Sequence, residues 1–248
     1  MRHWLLVAVM MAAPLMAQPV VQSAREKARY DGCVRALESD AVKAEAFAAE
    51  WQALGGGLPA RHCLALAQLK LGKPALAAAT LARAAQAAEA AKEPFAADFW
   101  GQAGNAALLA GDAKMAMAHF NSALSGIGDF APKRAAELHI DRARAAVEAG
   151  DRKQARADLT RAKALAPDNA DGWLLSATLA REAGELVPAK ADIDRALALG
   201  RTPAALLEAG NIAGLAGDVA AARGYWREVA PGSAEADAAA RALAANPE

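Results

Sequence analysis

The hydrophobic pattern of this chain is that of helices broken at regular points. Stretches rich in alanine and leucine, with polar residues spaced between them, close on a glycine, and a further alanine-rich stretch opens one or two residues later. Five breaks share this form: Leu71-Gly72-Lys73, Ala110-Gly111-Asp112, Ala149-Gly150-Asp151, Ala183-Gly184-Glu185 and Ala216-Gly217-Asp218. Their glycines lie 39, 39, 34 and 33 residues apart. Glycine tolerates the left-handed backbone that ends a helix, and an acid after it suits the positive start of the next helix. Each unit is therefore predicted to be a hairpin of two antiparallel helices, and the chain an all-α stack of such hairpins.

The units agree inside as well as at their breaks. The second carries Trp100, Ala103-Gly104, Ala107, Gly111-Asp112, Ala116, Phe120 and Ala123-Leu124. The fourth repeats it as Trp173, Ala177, Ala180, Gly184, Ala189, Ile193 and Ala196-Leu197, and the fifth as Leu206, Ala209-Gly210, Ala213, Gly217-Asp218, Ala222 and Trp226. The third ends in Leu165-Ala166-Pro167, and the first has Arg61 at the Trp position, followed by Leu64-Ala65, Gln68, Gly72, Ala77, Leu81 and Ala84. Small residues suit the close crossing of paired helices, and large ones fill the space between hairpins. This pattern resembles the tetratricopeptide repeat, W-x-x-L-G-x-x-Y followed by A-x-x-x-F, over residues 58–230 in about five repeats. The resemblance implies a right-handed superhelical solenoid.

Both flanks extend the helical reading. Residues 18–57 form a degenerate N-terminal hairpin, with helices near 22–37 and 41–54, a cap at Ser39 or Asp40, and Phe47 and Trp51 on one face. In residues 231–248, Pro231-Gly232-Ser233 breaks the last hairpin and Ser233 is placed to cap a final helix to about Ala245, which covers the end of the stack. The longer spacings put extra residues around Lys92-Glu93-Pro94 and between Ser125 and Pro132, the most loop-like internal segment.

Composition supports the helices and narrows the compartment. Alanine occurs 74 times among 248 residues while aromatics make up 5%, a bias against sheets. Twenty-eight basic residues balance 28 acidic ones, which argues against a nucleic-acid partner. Met1-Arg2-His3, the apolar run Trp4–Ala13 and the small Ala17 read as a secretory signal peptide over residues 1–17, cut after Ala17. The run is too short to span a hydrocarbon core, so no stable membrane insertion is expected after cleavage, and the mature protein is expected in the periplasm or outside the cell. In that setting Cys33 and Cys63, on the first helices of neighbouring hairpins, are expected to form a disulfide.

Chemistry is hard to find. His62 beside Cys63, and the separate His119 and His139, lack the three or four converging ligands of a metal site. Ser122, Ser125 and Ser176 have no base and orienting group around them. The glycines at 55–57, 101 and 104 follow no strand, so no phosphate loop is supported. No enzyme activity and no cofactor are expected.

What the resemblance implies instead is a concave surface, lined by the first helix of each hairpin, that binds a protein or peptide segment. The equivalent groove positions are Asn105, Arg144, Thr178 and Asn211, with Gln102, Leu109, Asp141, Glu148, Leu174, Arg181, Glu182, Leu207, Glu208 and Leu215 beside them. A subgroup of these repeats clamps a C-terminal carboxylate. Here Asn105 is present, but Gly101, Asp141, Asp171 and Leu175 stand where that clamp has lysine, asparagine, lysine and arginine, which removes the positive charge it needs. The expected function is a non-catalytic scaffold or adaptor. The alternative is a structural subunit of an envelope assembly or exported enzyme complex that meets its partner through the solenoid end or the 125–132 loop.

Overall fold

A computed structural model describes residues 19–127 and 131–247, so the expected signal peptide and the centre of the 125–132 loop lie outside the described residues. The described residues hold thirteen α-helices and no strand. They are α1 (Pro19–Ser39), α2 (Ala41–Ala53), α3 (Gly57–Lys70), α4 (Pro74–Ala90), α5 (Ala96–Leu109), α6 (Ala113–Gly126) and α7 (Pro132–Glu148). They continue as α8 (Arg152–Leu165), α9 (Ala170–Glu182), α10 (Leu186–Leu199), α11 (Pro203–Leu215), α12 (Val219–Glu228) and α13 (Ala236–Ala245). Odd-numbered helices up to α11 are the first of each pair, even-numbered ones the second, and neighbours in sequence are neighbours in space. The described residues form a helical solenoid of six hairpins with α13 packed on α11 and α12 at its end.

Local chemistry explains where the helices stop and start. Gly72, Gly111, Gly150, Gly184 and Gly217 all have φ between 68° and 84°, the left-handed conformation that ends the first helix of a pair. Asp112, Asp151 and Asp218 then accept hydrogen bonds from the backbone N–H groups of Met115, Gln154 and Ala221, which caps the second helix. Asp40 caps α2 in the same way through Lys43, while Ser39 remains within α1. The final helix starts later than the sequence suggests: α13 opens at Ala236 after Glu235 with no side-chain cap, and the Ser233 hydroxyl is buried without a partner. The extra residues of the long units are partly absorbed by helix length, since α4 and α7 each run 17 residues.

Alanine lines most of the helix crossings, and at the tightest of them a large ring lies against a glycine. Phe120 of α6 lies so close to Gly104 of α5 that a Cβ there would sit 2.6 Å from its ring. Trp226 of α12 covers Gly210 of α11 still more tightly. The largest apolar cluster runs from α3 to α7 around Leu81, Trp100, Phe120 and Leu138. Smaller clusters join α7 to α9, α9 to α11 and α11 to α13.

At the N-terminal end a disulfide joins Cys33 of α1 to Cys63 of α3, both buried, with Cα atoms 6.4 Å apart. It closes a loop of 30 residues. Among the described residues no helix is long and apolar enough to cross a membrane.

Candidate functional site

Polar side chains on the first helices connect every hairpin to the next. The Tyr30 hydroxyl of α1 meets His62 Nδ1 of α3 at 2.7 Å, and His62 Nε2 meets Gln102 Oε1 of α5 at 2.8 Å. Asn105 of α5 donates to Asp141 of α7 at 3.3 Å, and Arg144, one turn on, donates to the same carboxylate at 2.7 Å. Arg144 also approaches Asp171 of α9 at 3.9 Å. Arg181 of α9 donates to Glu208 of α11 at 2.6 Å. The result is a polar ladder from α1 to α11 with at least one rung between each pair of first helices, Arg134 of α7 adding a second to Asp98 of α5 at 2.9 Å.

The residues singled out from the sequence play unequal parts in it. Asn105, Gln102, Asp141, Arg144 and Arg181 are rungs, and Asn105 and Arg144 remain exposed. Thr178 turns its hydroxyl back to the carbonyl of Leu174, one turn earlier in its own helix. Asn211 accepts a hydrogen bond from the Trp226 indole of α12, so its carbonyl is engaged within its own hairpin. Leu174 and Leu207, half-buried, line a depression of about 330 Å³ with Arg144, Thr178, Glu208 and Glu235, the last contributed from the segment that leads into α13. Leu109 and Leu215 stand exposed at the helix ends. The ladder is rich in acids, and each of its arginines is already held by a carboxylate.

Between α7 and α8 lies the most deeply buried charge. The Asp158 carboxylate, 1% exposed, accepts from His139 Nδ1 at 2.8 Å, from Arg142 at 2.9 and 2.5 Å, and from Gln154 at 3.0 Å. Burial alone raises such a carboxyl, but the hydrogen bonds from His139, Arg142 and Gln154 and the charge of Arg142 outweigh it and hold its pKa at about 2. Every lone pair has a partner, so the cluster ties two helices together. Lys163 of α8 plays a similar role, bonded to Ser176 of α9 and Asp192 of α10 at 2.9 and 2.8 Å with its ammonium over the Trp173 ring. Nothing in the spacing marked Asp158 or Lys163, because each acquires meaning only from hydrogen-bond partners on other helices, 13 to 29 residues away.

The three described histidines are packing and hydrogen-bonding residues: His119 stacks on Trp100, and His139 and His62 are engaged as above. Among the described residues no group of three or more His, Cys, Asp or Glu side chains is placed to hold a metal ion.

Helices packed in successive hairpins, left-handed glycines at their turns and small residues at their crossings are the fold of a tetratricopeptide repeat solenoid. Solved structures carry the same fold. PilF of Pseudomonas aeruginosa matches with a TM-score of 0.67 at 16% identity, over 90% of this chain and 100% of that one. PilW, a widely conserved type IV pilus biogenesis factor, matches with a TM-score of 0.67 at 18% identity, over 86% of this chain and 97% of that one. YrrB, a TPR protein with an unusual peptide-binding site, matches with a TM-score of 0.52 at 17% identity, over 73% of this chain and 91% of that one. No family model matches the sequence, and no curated protein does.

Proposed function

We propose that this protein is a non-catalytic scaffold that holds an extended segment of a partner protein along its first-helix face, in the periplasm or outside the cell. The observation that carries the reading is the ladder itself. Its inter-helix hydrogen bonds, with the Arg144–Asp171 ion pair between α7 and α9, help to hold the first helices relative to one another, and a surface fixed before binding loses less entropy on binding. Exposed Asn105 supplies an amide, exposed Arg144 a guanidinium, and the Leu174–Leu207 depression a seat for one apolar side chain. The fold is shared with a pilus biogenesis factor and with a protein that has a peptide-binding site, which supports a protein partner. The N-terminal apolar run and a buried disulfide support export.

Photo-crosslinking residues at 105 and 144 in the native compartment, followed by mass spectrometry of the attached chain, identifies the partner segment. That segment, made as a synthetic peptide, is expected to bind the purified protein and to lose about tenfold in affinity when Asn105 and Arg144 are both changed to alanine. Unchanged affinity in that double variant overturns the groove. Crosslinks that form only from Pro132 or from α13 favour a structural subunit docked through its loop or its end.

A further inference from the structure

The first-helix face has a second feature at its N-terminal end. Segments from α1, the α2–α3 turn, α3, the α4–α5 turn and the start of α5 border an open pocket of about 600 Å³. Four rings line it in an unbroken series. Tyr30 stacks on His62 with centroids 5.8 Å apart, His62 meets Phe99 edge-on at 5.6 Å, and Phe99 meets Phe95 edge-on at 5.8 Å. Phe95 is 40% exposed despite its edge-on contact with Phe99.

The rim is anionic. Glu26 of α1 and Glu93 of the α4–α5 turn both line the pocket, both are half-buried, and neither carboxylate has a hydrogen-bonded or ion-paired partner among the described residues. A carboxylate drawn partly out of water without a partner is at a disadvantage that a bound cation removes. Lys27 also lines the pocket, but its ammonium is engaged by Asp31 at 2.6 Å. His62 adds no charge: a neutral ring with its proton on Nε2 accepts from Tyr30 and donates to Gln102, satisfying both nitrogens. Burial pushes its pKa below the ordinary value, against the pull of the Gln102 bond.

We infer that this pocket binds a basic side chain, arginine before lysine, of the segment held on the first-helix face. Aromatic faces attract a cation through their quadrupole, a guanidinium stacks on rings while its edge pairs with carboxylates, and two unpaired glutamates supply those carboxylates. The disulfide holds the pocket ready. Tyr30 precedes Cys33 by one helical turn and His62 is next to Cys63, so the bond that joins α1 to α3 fixes two of the four rings. Gln102 continues from His62 into the ladder, which makes the pocket its terminal subsite. The inference rests on the peptide-holding reading and extends it by naming the chemistry of one anchoring residue.

The test titrates the whole, isotopically labelled chain with the probe N-acetyl-Ala-Arg-Ala-amide and with its citrulline counterpart, which keeps the shape and loses the charge. The arginine probe is expected to shift the ring resonances of Tyr30, His62, Phe95 and Phe99, and citrulline to bind about fivefold or more weakly. Glu26→Gln with Glu93→Gln, both at half-exposed positions, is expected to weaken the arginine probe by about tenfold, and Phe95→Ala by about fivefold. Equal affinity for the two probes, an unchanged affinity in the double glutamine variant, or no shift at the four rings overturns the inference. The two readings fail separately. Capture of the native segment that survives the glutamine variant defeats the pocket alone, and probe binding that survives when Asn105→Ala and Arg144→Ala leave segment binding unchanged defeats the groove alone.

Discussion

At the scale of single residues, stability is concentrated where a polar or bulky group is fully matched by its neighbours, and Asp158 is the clearest case. Its folded pKa of about 2 lies below the unfolded value of about 3.9, so its contribution is complete above about pH 4 and is lost as pH falls through about 2. The shift corresponds to about 2–3 kcal/mol. Asp158→Asn is expected to destabilise the protein by about 2–3 kcal/mol in urea at pH 7, because Arg142 stays buried against a neutral amide. The same variant should show a flatter loss of stability between pH 4 and pH 2 than the parent, and parallel acid profiles would contradict the assignment. Two glycines give a second contrast. Gly104→Ala drives a Cβ to 2.6 Å from the Phe120 ring and is expected to cost about 1–3 kcal/mol despite the better helix propensity of alanine. Gly224→Ala, exposed in α12 with nothing within 4 Å, is expected to stabilise by about 0.5–1 kcal/mol, as thermal melts will show. The sequence marks Gly104 and Phe120 by position, and their contact follows from that. It does not show which way Asn211 or Thr178 turns, because each side chain is claimed by a local partner, the Trp226 indole or the Leu174 carbonyl, that spacing alone does not rank.

At the scale of elements, helix ends were legible and helix attachments less so. Glycine followed by aspartate dictates a left-handed turn and then a capped helix whatever surrounds it, so Gly111-Asp112 and Gly217-Asp218 can be read without tertiary information. Ser233 looked equally suitable as a cap, yet the backbone there stays in turns and α13 begins three residues later, since the docking of that helix on α11 and α12 decides its start. The element whose attachment is most distinctive is α1. It packs mainly on α2 and α3, and among its described side chains Cys33 is the one buried apolar anchor. In the chain-entropy model a 30-residue loop makes the disulfide worth about 3–4 kcal/mol. Cys33→Ser with Cys63→Ser is therefore expected to free α1 before anything else. Hydrogen exchange should show α1 amides losing most of their protection while α5 to α11 keep theirs. Equal loss along the whole chain would mean that α1 belongs to one cooperative unit with the rest.

At the scale of the molecule, a solenoid has no single core, and its stability is a series of neighbour-to-neighbour terms. Those terms are unequal here. The cluster from α3 to α7 joins three hairpins through Leu81, Trp100, Phe120 and Leu138, whereas the later hairpins are joined by smaller clusters and the packing of α8 on α9 is thinner than that of α4 on α5. The polar contacts compensate at that thin junction: Lys163 reaches from α8 to Ser176 and Asp192, and Arg152 and Arg156 pair with Glu182 and Glu185 across it. Of these only the Lys163–Asp192 pair is substantially withdrawn from solvent, at 19% and 14% side-chain exposure, and exposed pairs contribute little and weaken with salt. Unfolding should accordingly begin on the C-terminal side of α8 and proceed in more than one step. Hydrogen exchange in low urea is expected to protect α4 to α6 longest and α9 to α13 least, with Lys163→Met widening the gap and 0.5 M salt widening it slightly. A single transition in which every helix opens at the same urea concentration would show that the junction is as strong as the rest. If it opens first, the Leu174–Leu207 depression lies in the more yielding half of the ladder and the ring-lined pocket in the more rigid half. A bound segment would then stabilise α9 to α13 more than α3 to α7, and the exchange experiment repeated with that segment present reads the difference.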